Sequence, residues 1–394
     1  MNPRGLVLLG ATGSIGASAL DVVGTLGDRW RICGLACHGQ WRELAVLAAR
    51  WRPDAVAIVD PAAAAAARAA GAFDAGVTLL EGRDGLTELA AWDAADTVLN
   101  AVVGAAGLPA TLAALAAGKR VALANKESLV VGGELVMAAA RRASSGPNGT
   151  PGAADDPRLV PVDSEHNAIW QLLAGRPRGD VRRVVLTASG GPFRTASREA
   201  LASVRPDQAL AHPTWSMGPK ITIDSATLAN KGLEIIEAHH LFGLPYDRIE
   251  VVIHPQSVVH GLIECTDGTV FAELGPPDMR APIRAALGWP ERVPTASRTD
   301  WTALSGLTFE APDAERFPAL ALARAAGEAG GTAPAVFNAA NEVAVAAFLA
   351  GAIAFPAIPA ICERVLAAHD VERAHSVAVL LAADQWARER AATA

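Results

Sequence analysis

The sequence predicts an α/β protein that begins with a doubly wound parallel sheet and ends in a helical domain. Short apolar runs alternate with alanine-rich helical segments over the first third of the chain, and this alternation is typical of parallel sheets. A glycine-rich turn directly follows the first apolar run. From Phe317 onward the apolar residues recur at helical spacing instead.

Composition excludes several classes of protein. The 394 residues suffice for two or three domains, and 51% hydrophobic with 19% charged residues is a globular composition. The net charge is −7, so the chain lacks the excess of basic residues that is typical of nucleic-acid-binding proteins. An acidic chain can still hold a local basic pocket for an anion. Val343–Cys362 carries no charge, but glycine and prolines interrupt it, so we expect a helix ending in a loop and no membrane span.

The cysteines point to a reducing compartment. Cys33, Cys37, Cys265 and Cys362 form no CxxC pair and have no histidine partners at zinc spacing. We interpret them as buried, reduced thiols. The N-terminal apolar run leads straight into glycines and does not resemble a cleavable signal. A cytoplasmic location is therefore predicted.

The first strand and its turn predict an anion site. Gly5–Gly10 reads as a buried strand, Gly10–Gly16 supplies a GxxGxxG turn, and a helix follows from about Ala17. Backbone N–H groups and the helix dipole would then face an anion, as in Rossmann-like sheets. The spacing is a variant of the dinucleotide fingerprint, so a simple strand–helix turn stays open.

The end of the second strand, Arg31–Cys37, favours NADP over NAD. An NAD enzyme commonly carries an acidic residue there, which binds the ribose 2′-hydroxyl. Here the chain has no acid but has His38 and Arg42, which would tolerate a 2′-phosphate. The alternative is that Arg42 simply faces solvent.

Polar residues follow a later strand of the same pattern. Three further strands are predicted, at Asp54–Val59, Thr97–Val103 and Arg120–Ala124. Asn125, Lys126 and Glu127 come just beyond the last of them, at the carboxyl end of the strand, where such sheets bind ligands. We therefore interpret Lys126 as functional.

Two carboxylates in the middle of the chain suggest a cation site. Asp163 and Glu165 flank Ser164, and in an extended segment both would project to one side. Carboxylate pairs of this kind are typical of Mg²⁺ or Mn²⁺ sites. The alternative is a solvated acidic turn.

Two further segments suggest an anion pocket and a lid. The strand Val184–Thr187 runs into a small-residue turn at Ser189, which suits a phosphate or is a plain turn. His212–Lys220 combines glycine, prolines and Trp215. Such a loop acts as a lid, unless the tryptophan anchors it to the core.

The segment after that loop holds a third carboxylate. If the chain is helical from Asn230, Lys231 and Glu234 are i,i+3 neighbours. Glu234 would then complete a cation site with Asp163 and Glu165. Ser225, Asn230 and Lys231 would donate hydrogen bonds to an anion.

The motifs together resemble one enzyme family. GATGSIG, LANKESLV, PVDSEHNAIWQ, SGGPF, HPTWSMGPKITIDSATLANKGLE, HPQSVVHG and NAANEVAVAAFL occur in this order, from about residue 5 to about residue 365. They closely resemble the 1-deoxy-D-xylulose-5-phosphate reductoisomerase family. The resemblance implies an NADP-dependent oxidoreductase that uses NADPH and Mg²⁺ or Mn²⁺. It would isomerise and reduce 1-deoxy-D-xylulose 5-phosphate to 2-C-methyl-D-erythritol 4-phosphate, in the methylerythritol phosphate pathway to isoprenoids.

The resemblance also implies roles for individual residues. The metal ligands would be Asp163, Glu165 and Glu234, which with Lys126 form the catalytic set. The NADPH contacts would be Thr12, Gly13, Ser14, Ile15, Gly39, Gln40, Asn125, Glu127 and Gly218. The substrate contacts would be Lys126, Ser164, Glu165, Ser189, His212, Trp215, Ser225, Asn230, Lys231 and Glu234. Ser189, Ser225, Asn230 and Lys231 would surround the phosphate, and Trp215 would belong to the lid.

The implied organisation has three domains and a homodimer. Residues 1–150 would form the NADPH-binding domain, 151–290 the α/β catalytic domain with its lid loop, and 291–394 the C-terminal helical domain. The homodimer would form through the catalytic domain, and the substrate would be a small sugar phosphate. Ser144–Arg158 reads as a linker that looks longer than the family's usual connection.

The chain departs from the family pattern at two further places. His38, Gly39 and Gln40 stand where the family usually has a glycine, often a basic residue, and an asparagine. Pro219 takes a lid position that is often polar or basic. Two other functions stay open from the sequence: an NADP enzyme acting on another phosphorylated sugar, and a non-catalytic NADP sensor.

Overall fold

A seven-stranded parallel sheet organises the first part of the chain. Its strands are β1 Arg4–Leu9, β2 Trp30–Cys37, β3 Ala55–Ile58, β4 Thr78–Glu81, β5 Thr97–Asn100, β6 Arg120–Leu123 and β7 Leu159–Pro161. Their order in space is β4-β3-β2-β1-β5-β6-β7, and every neighbouring pair is parallel. The predicted doubly wound sheet is therefore confirmed. The strand order reverses between β1 and β5, and such a reversal opens a crevice at the carboxyl ends of the two strands.

Helices connect these strands. They are α1 Ser14–Leu26, α2 Trp41–Trp51, α3 Pro61–Ala69, α4 Gly82–Ala90, α5 Leu108–Ala116 and α6 Glu127–Ser144, which is kinked at Gly132. The central strands are buried on both faces, as their continuous apolar runs predict, and Leu6, Leu8 and Leu99 are fully buried. β4 and β7 were not predicted, because these edge strands are only four and three residues long.

A second, four-stranded sheet follows. It contains β8 Val181–Ala188, β9 Ile249–Ile253, β10 Val259–Cys265 and β11 Val270–Leu274, in the order β11-β10-β8-β9. β8 and β9 are parallel, whereas β10 runs antiparallel to both β8 and β11. β11 therefore lies at one edge of this sheet.

Helices make up most of the remaining structure. They are α7 Ser164–Leu173, α8 Arg198–Leu201, α9 Pro206–Ala209, α10 Pro219–Thr227, α11 Ala229–Phe242, α12 Arg280–Gly288, α13 Ala319–Ala329, α14 Ala333–Leu349, α15 Ala357–Ala367 and α16 Val377–Ala392. Short 3-10 turns occur at Gly27–Arg29, Ala105–Gly107, Arg178–Asp180 and Tyr246–Arg248. The predicted C-terminal helical region is confirmed. Its core includes Phe337 and Phe348, which pack in one cluster with Ile235 of α11.

The computed structural model describes residues 3–144, 157–296, 298–302, 304 and 306–394. Contacts divide them into two units. The first draws on Met1–Ser128, Leu135–Asp163 and Met279–Thr295, and the second on Leu129–Glu134, Ser164–Asp278 and Ala296–Ala394. The linker expected at Ser144–Arg158 lies almost entirely outside the described residues, and the three-domain division stays a prediction. Among the described residues, none of the helices is long and apolar enough to cross a membrane.

Candidate active site

The glycine turn after β1 is built to receive an anion. Gly10 has a φ of 85°, and a Cβ at this position would lie 2.5 Å from the carbonyl oxygen of Ala101, so only glycine fits. The helix α1 begins at Ser14, three residues earlier than the sequence suggested. The N-cap residue Gly13 has no side chain, so the first N–H groups of α1 can bind an external anion.

The predicted cofactor residues after β1 and β2 lie side by side. The Thr12 hydroxyl donates to Gln40 Oε1 at 3.5 Å, and that oxygen also accepts from the Gly39 N–H at 3.3 Å. Gln40 is exposed. Arg42 is exposed too, with its guanidinium 4.3 Å from the centre of the Trp41 ring. In this structure Arg42 therefore faces solvent and packs on the Trp41 ring.

The residues after β6 are buried at the carboxyl edge of the sheet. Asn125 is 1% exposed, and its Nδ2 donates to the carbonyls of Val102 and Gly104 at 2.8 and 2.9 Å and to Glu127 Oε2 at 3.0 Å. The ammonium of Lys126 pairs with the carboxylate of Asp163. The sequence-predicted Lys126 therefore has a negatively charged partner.

The carboxylates around Ser164 are placed differently from our expectation. The extended segment predicted for Asp163 and Glu165 is wrong, because α7 begins at Ser164 and Glu165 is its second residue. Acidic residues are favoured at this position by the positive end of the helix dipole. The Ser164 hydroxyl donates to Glu165 Oε2 at 2.6 Å.

A buried lysine joins two of the predicted ligands. Lys231 Nζ donates to Glu165 Oε1 at 2.7 Å and also to Glu234 Oε2, as the i,i+3 spacing on α11 predicts. Asn230 Nδ2 donates to the other oxygen of Glu234 at 2.5 Å. Desolvation lowers the pKa of Lys231, but the two carboxylates raise it more, so the pKa lies above its ordinary value. The lysine therefore stays charged and pairs with one buried and one half-buried carboxylate.

This carboxylate pair fits a hard divalent cation. Glu234 is fully buried on α11 and Glu165 is half-buried on α7. Ionised carboxylates are acceptors only, and Mg²⁺ and Mn²⁺ prefer such oxygen ligands. A site with two acidic oxygens and one ammonium can hold a cation beside an anionic ligand.

A second cluster in the same unit gathers the other predicted anion ligands. His212 Nε2 lies 2.9 Å from Ser189 Oγ and 3.2 Å from Ser225 Oγ. His212 Nδ1 accepts from the backbone N–H groups of Thr214 and Trp215 at 3.1 and 2.9 Å. Because Nδ1 accepts two hydrogen bonds, the proton of the neutral ring is on Nε2. His212 therefore presents an N–H between two hydroxyls.

A single residue sets the angle between the helices that carry these clusters. Leu228 separates α10 from α11 and has a φ of 62°, which is strained for a leucine. Its side chain is only 3% exposed, so burial holds this conformation. The turn at Leu228 therefore separates Ser225, near the end of α10, from Asn230, near the start of α11.

The predicted lid is a loop without regular structure at residues 211–218. Trp215 is half-buried, and its ring centre lies 6.1 Å from that of His260, whose Nε2 lies 3.2 Å from the Gly275 carbonyl oxygen. Gly218 is exposed, and its carbonyl accepts from the Thr222 hydroxyl at 2.8 Å. Trp215 thus contacts His260 but remains partly accessible, so it combines features of a lid residue and of a core anchor.

Sequence reasoning missed a buried link between α7 and α11. His166 Nε2 lies 2.9 Å from the carbonyl oxygen of Glu234, and Nδ1 lies 3.3 Å from Glu237 Oε2. Both side chains are fully buried. The i,i+3 spacing of Glu234 and Glu237 was a usable signal, because it places two acids on one face of an apolar helix.

The pH dependence of His212 gives a testable prediction. Burial lowers the pKa of His212 below its ordinary value of 6.5. The neutral ring is thus favoured in the folded state, so its stabilising contribution is present above about pH 6.5 and declines as the pH falls below it. We expect the urea midpoint to fall more steeply from pH 7.5 to 5.5 in the wild type than in His212→Asn. Asparagine keeps an acceptor for the turn but does not titrate. Parallel pH profiles would contradict this role.

Comparison with known proteins matches this geometry to a family. A model described as 1-deoxy-D-xylulose 5-phosphate reductoisomerase matches residues 6–133, and models of the C-terminal domains of that enzyme match residues 159–242 and 274–390. The enzyme of that name from Kitasatospora griseola is 52% identical over 98% of each chain. The chain belongs to the 1-deoxy-D-xylulose 5-phosphate reductoisomerase family. The resemblance drawn from the motifs is confirmed.

Solved structures of this reductoisomerase family share the whole fold. The Zymomonas mobilis enzyme in complex with NADPH is 45% identical, with a TM-score of 0.88 over 99% of this chain and 98% of that one. A reductoisomerase in complex with NADPH, fosmidomycin and magnesium is 39% identical, with a TM-score of 0.89 over the same shares. These matches cover both sheets and the C-terminal helices.

Proposed function

We propose that this reductoisomerase-family chain converts 1-deoxy-D-xylulose 5-phosphate to 2-C-methyl-D-erythritol 4-phosphate with NADPH and Mg²⁺ or Mn²⁺, in the methylerythritol phosphate pathway. The relatives carry this enzyme's name, and solved relatives hold NADPH and magnesium. The observation that carries the proposal is that the second unit contains two clusters of polar side chains. One, around Glu165, Lys231 and Glu234, suits a cation, and the other, around His212, suits a phosphate.

The proposed cation ligands are Asp163, Glu165 and Glu234. When bound, a divalent cation polarises a substrate carbonyl, and NADPH supplies the hydride. The protein's part is to hold the carboxylates: the start of α7 presents Glu165, while Asn230 and Lys231 orient Glu234. The positive charge of Lys231 lies within hydrogen-bonding distance of both carboxylates and balances their negative charge.

The substrate phosphate is assigned to the serine–histidine cluster. Ser189, Ser225, Asn230 and Lys231 would donate to its oxygens, and the Nε2 proton of His212 holds the two serine hydroxyls in place. Ser164 and Trp215 complete the proposed substrate contacts. The loop at residues 211–218 would cover the reacting centre and exclude water. Lys126, already paired with Asp163, would hold charge beside the reacting oxygens.

The cofactor is assigned to the carboxyl edge of the seven-stranded sheet. The N–H groups of Ser14 and Ile15 would bind its pyrophosphate at the start of α1, and Gly13, whose own N–H donates to the Gly10 carbonyl, would lie against it. Further proposed contacts are Thr12, Gly39, Gln40, Asn125, Glu127 and Gly218. The adjacent Thr12 and Gln40 side chains support a shared binding surface after β1 and β2.

We also propose a cytoplasmic homodimer that forms through the catalytic domain, which contains β11. All four cysteines are free and buried, as expected for a reducing compartment. The edge strand β11 exposes 54% of Val270 and 38% of Phe271. An exposed apolar edge strand is a common surface for pairing with another chain.

The test is NADPH absorbance with the purified protein, 1-deoxy-D-xylulose 5-phosphate and Mn²⁺. We expect EDTA to abolish NADPH oxidation and excess Mg²⁺ or Mn²⁺ to restore it. The carboxylates bind the cation, and only the cation can polarise the substrate carbonyl. The product should be the branched methylerythritol phosphate. NADPH oxidation that EDTA leaves unchanged would contradict the metal role. An unbranched product would show that the protein reduces a sugar phosphate without rearranging its carbon skeleton.

A further inference from the structure

A line of buried polar side chains lies beneath the carboxyl edge of the seven-stranded sheet. Asn100 Nδ2 donates to Thr111 Oγ1 at 2.8 Å, and Thr111 Oγ1 lies 3.0 Å from Ser128 Oγ. Ser128 Oγ donates to Asn125 Oδ1, and Asn125 Nδ2 donates to Glu127 Oε2. We call these five residues the polar line. Since Ser128 uses its proton on Asn125, Thr111 donates to Ser128, and every hydroxyl proton in the line has a defined direction.

Both ends of the polar line hold the loop at residues 101–104. Asn100 Oδ1 accepts from the N–H of Val102 at 3.1 Å. Asn125 Nδ2 donates to the carbonyls of Val102 and Gly104, and Glu127 Oε1 accepts from the N–H of Gly104 at 3.3 Å. Side chains therefore position Val102 and Gly104 of this loop, while the Ala101 N–H donates to the Leu9 carbonyl of β1 at 2.9 Å.

The held loop borders the crevice where the strand order reverses. It follows β5, while the glycine turn follows β1, and these neighbouring strands flank the switch point. The two loops are in close contact, since a Cβ on Gly10 would meet the Ala101 carbonyl oxygen. A shift of the loop would therefore disturb the turn that is proposed to bind the pyrophosphate.

Asn125 is committed to this internal role. Its side chain is 1% exposed, its Nδ2 has three acceptors, and its Oδ1 accepts from both the N–H and the hydroxyl of Ser128. A Cβ on Gly107 would lie 2.3 Å from Asn125 Oδ1, so the amide packs directly against the backbone of this glycine. A side chain so enclosed acts by holding its neighbours.

We propose that Asn100, Thr111 and Ser128 are positioning residues for NADPH, which fix the loop at residues 101–104 through Asn125 and make no cofactor contact themselves. The inference rests on the proposed function. It gives the enclosed side chain of Asn125 the same positioning role. Buried networks of this kind specify one arrangement when every member is satisfied.

Thr111→Val and Thr111→Ser form a matched pair that tests the polar line. Valine keeps the shape but removes the hydroxyl, whereas serine keeps the hydroxyl and loses the methyl. NADPH affinity is measured by fluorescence titration of the whole protein in EDTA, without substrate. We expect Thr111→Val to weaken NADPH binding about tenfold, the effect of one lost buried hydrogen bond, and Thr111→Ser to stay within about twofold of wild type. At saturating NADPH, the KM for the sugar phosphate should change less than about twofold in both.

The other outcomes decide against the proposal. NADPH binding by Thr111→Val as tight as wild type would overturn it, and so would equal losses in both variants, since packing would then explain them. If Thr111→Val does not fold, Ser128→Ala decides: weakened NADPH binding supports the polar line, and unchanged binding overturns it. A wild-type protein that binds no NADPH would instead overturn the proposed function itself.

Discussion

Replacing Glu234 with glutamine is expected to lower kcat/KM by about 10³-fold, since a lost metal ligand removes roughly 4 kcal/mol of transition-state stabilisation. Glu234 is fully buried, and both of its oxygens meet donors on its own helix. Glutamine keeps the size and one acceptor oxygen but removes the charge that would bind a cation. The measurement is steady-state turnover over a range of Mn²⁺ concentrations, in which the variant should need far more metal for half its maximal rate.

Glu264→Gln is the matched control for the Glu234 variant. Glu264 is a carboxylate of the same unit, paired with Arg182 and Arg183 on the surface of the sheet. Losing this exposed pairing should change turnover by less than about twofold. Wild-type turnover and metal dependence in Glu234→Gln would rule out the proposed ligand role.

Replacing Lys231 with methionine should destabilise the fold and make its stability depend on metal. Without the ammonium, the buried Glu234 and the half-buried Glu165 lose the cation that they share, and breaking a buried ion pair in this way costs about 3–5 kcal/mol. A divalent cation would take over the compensating charge. We expect urea denaturation in EDTA to show a loss of about 3 kcal/mol, which millimolar Mg²⁺ partly restores.

Lys119→Met separates this effect from the general loss of a lysine. Lys119 is a half-buried residue whose ammonium makes an exposed hydrogen bond to the Asp93 carbonyl, so its replacement should change the free energy of unfolding by less than about 0.5 kcal/mol. If Lys231→Met is as stable as wild type in EDTA, or if Mg²⁺ stabilises both proteins equally, the charge-balance role fails. Activity should be lost in Lys231→Met in either buffer, because the proposed phosphate donor is gone.

Local patterns predicted the parts of the site that lie close together in the chain. Lys231 and Glu234 meet because helical periodicity alone places them on one face. Gly10 adopts a positive φ that its residue type allows. The prediction of an extended segment around Ser164 was wrong, because three polar residues suit an extended segment and a helix N-terminus equally. The helix is favoured by the burial of apolar residues further along α7, such as Ile169.

The sequence by itself determined the parallel sheet, the glycine turn after β1, the C-terminal helices and the family. Continuous apolar runs, glycine turns and long motifs each act within a short stretch of chain, so their meaning does not depend on distant residues. Only the tertiary structure decided that Lys231 balances Glu165 as well as Glu234, that His166 ties α7 to α11, and that Thr111 joins Asn100 to Ser128. These contacts link residues far apart in the chain, and a buried polar side chain takes whichever partner the packing of the helices and strands brings within reach.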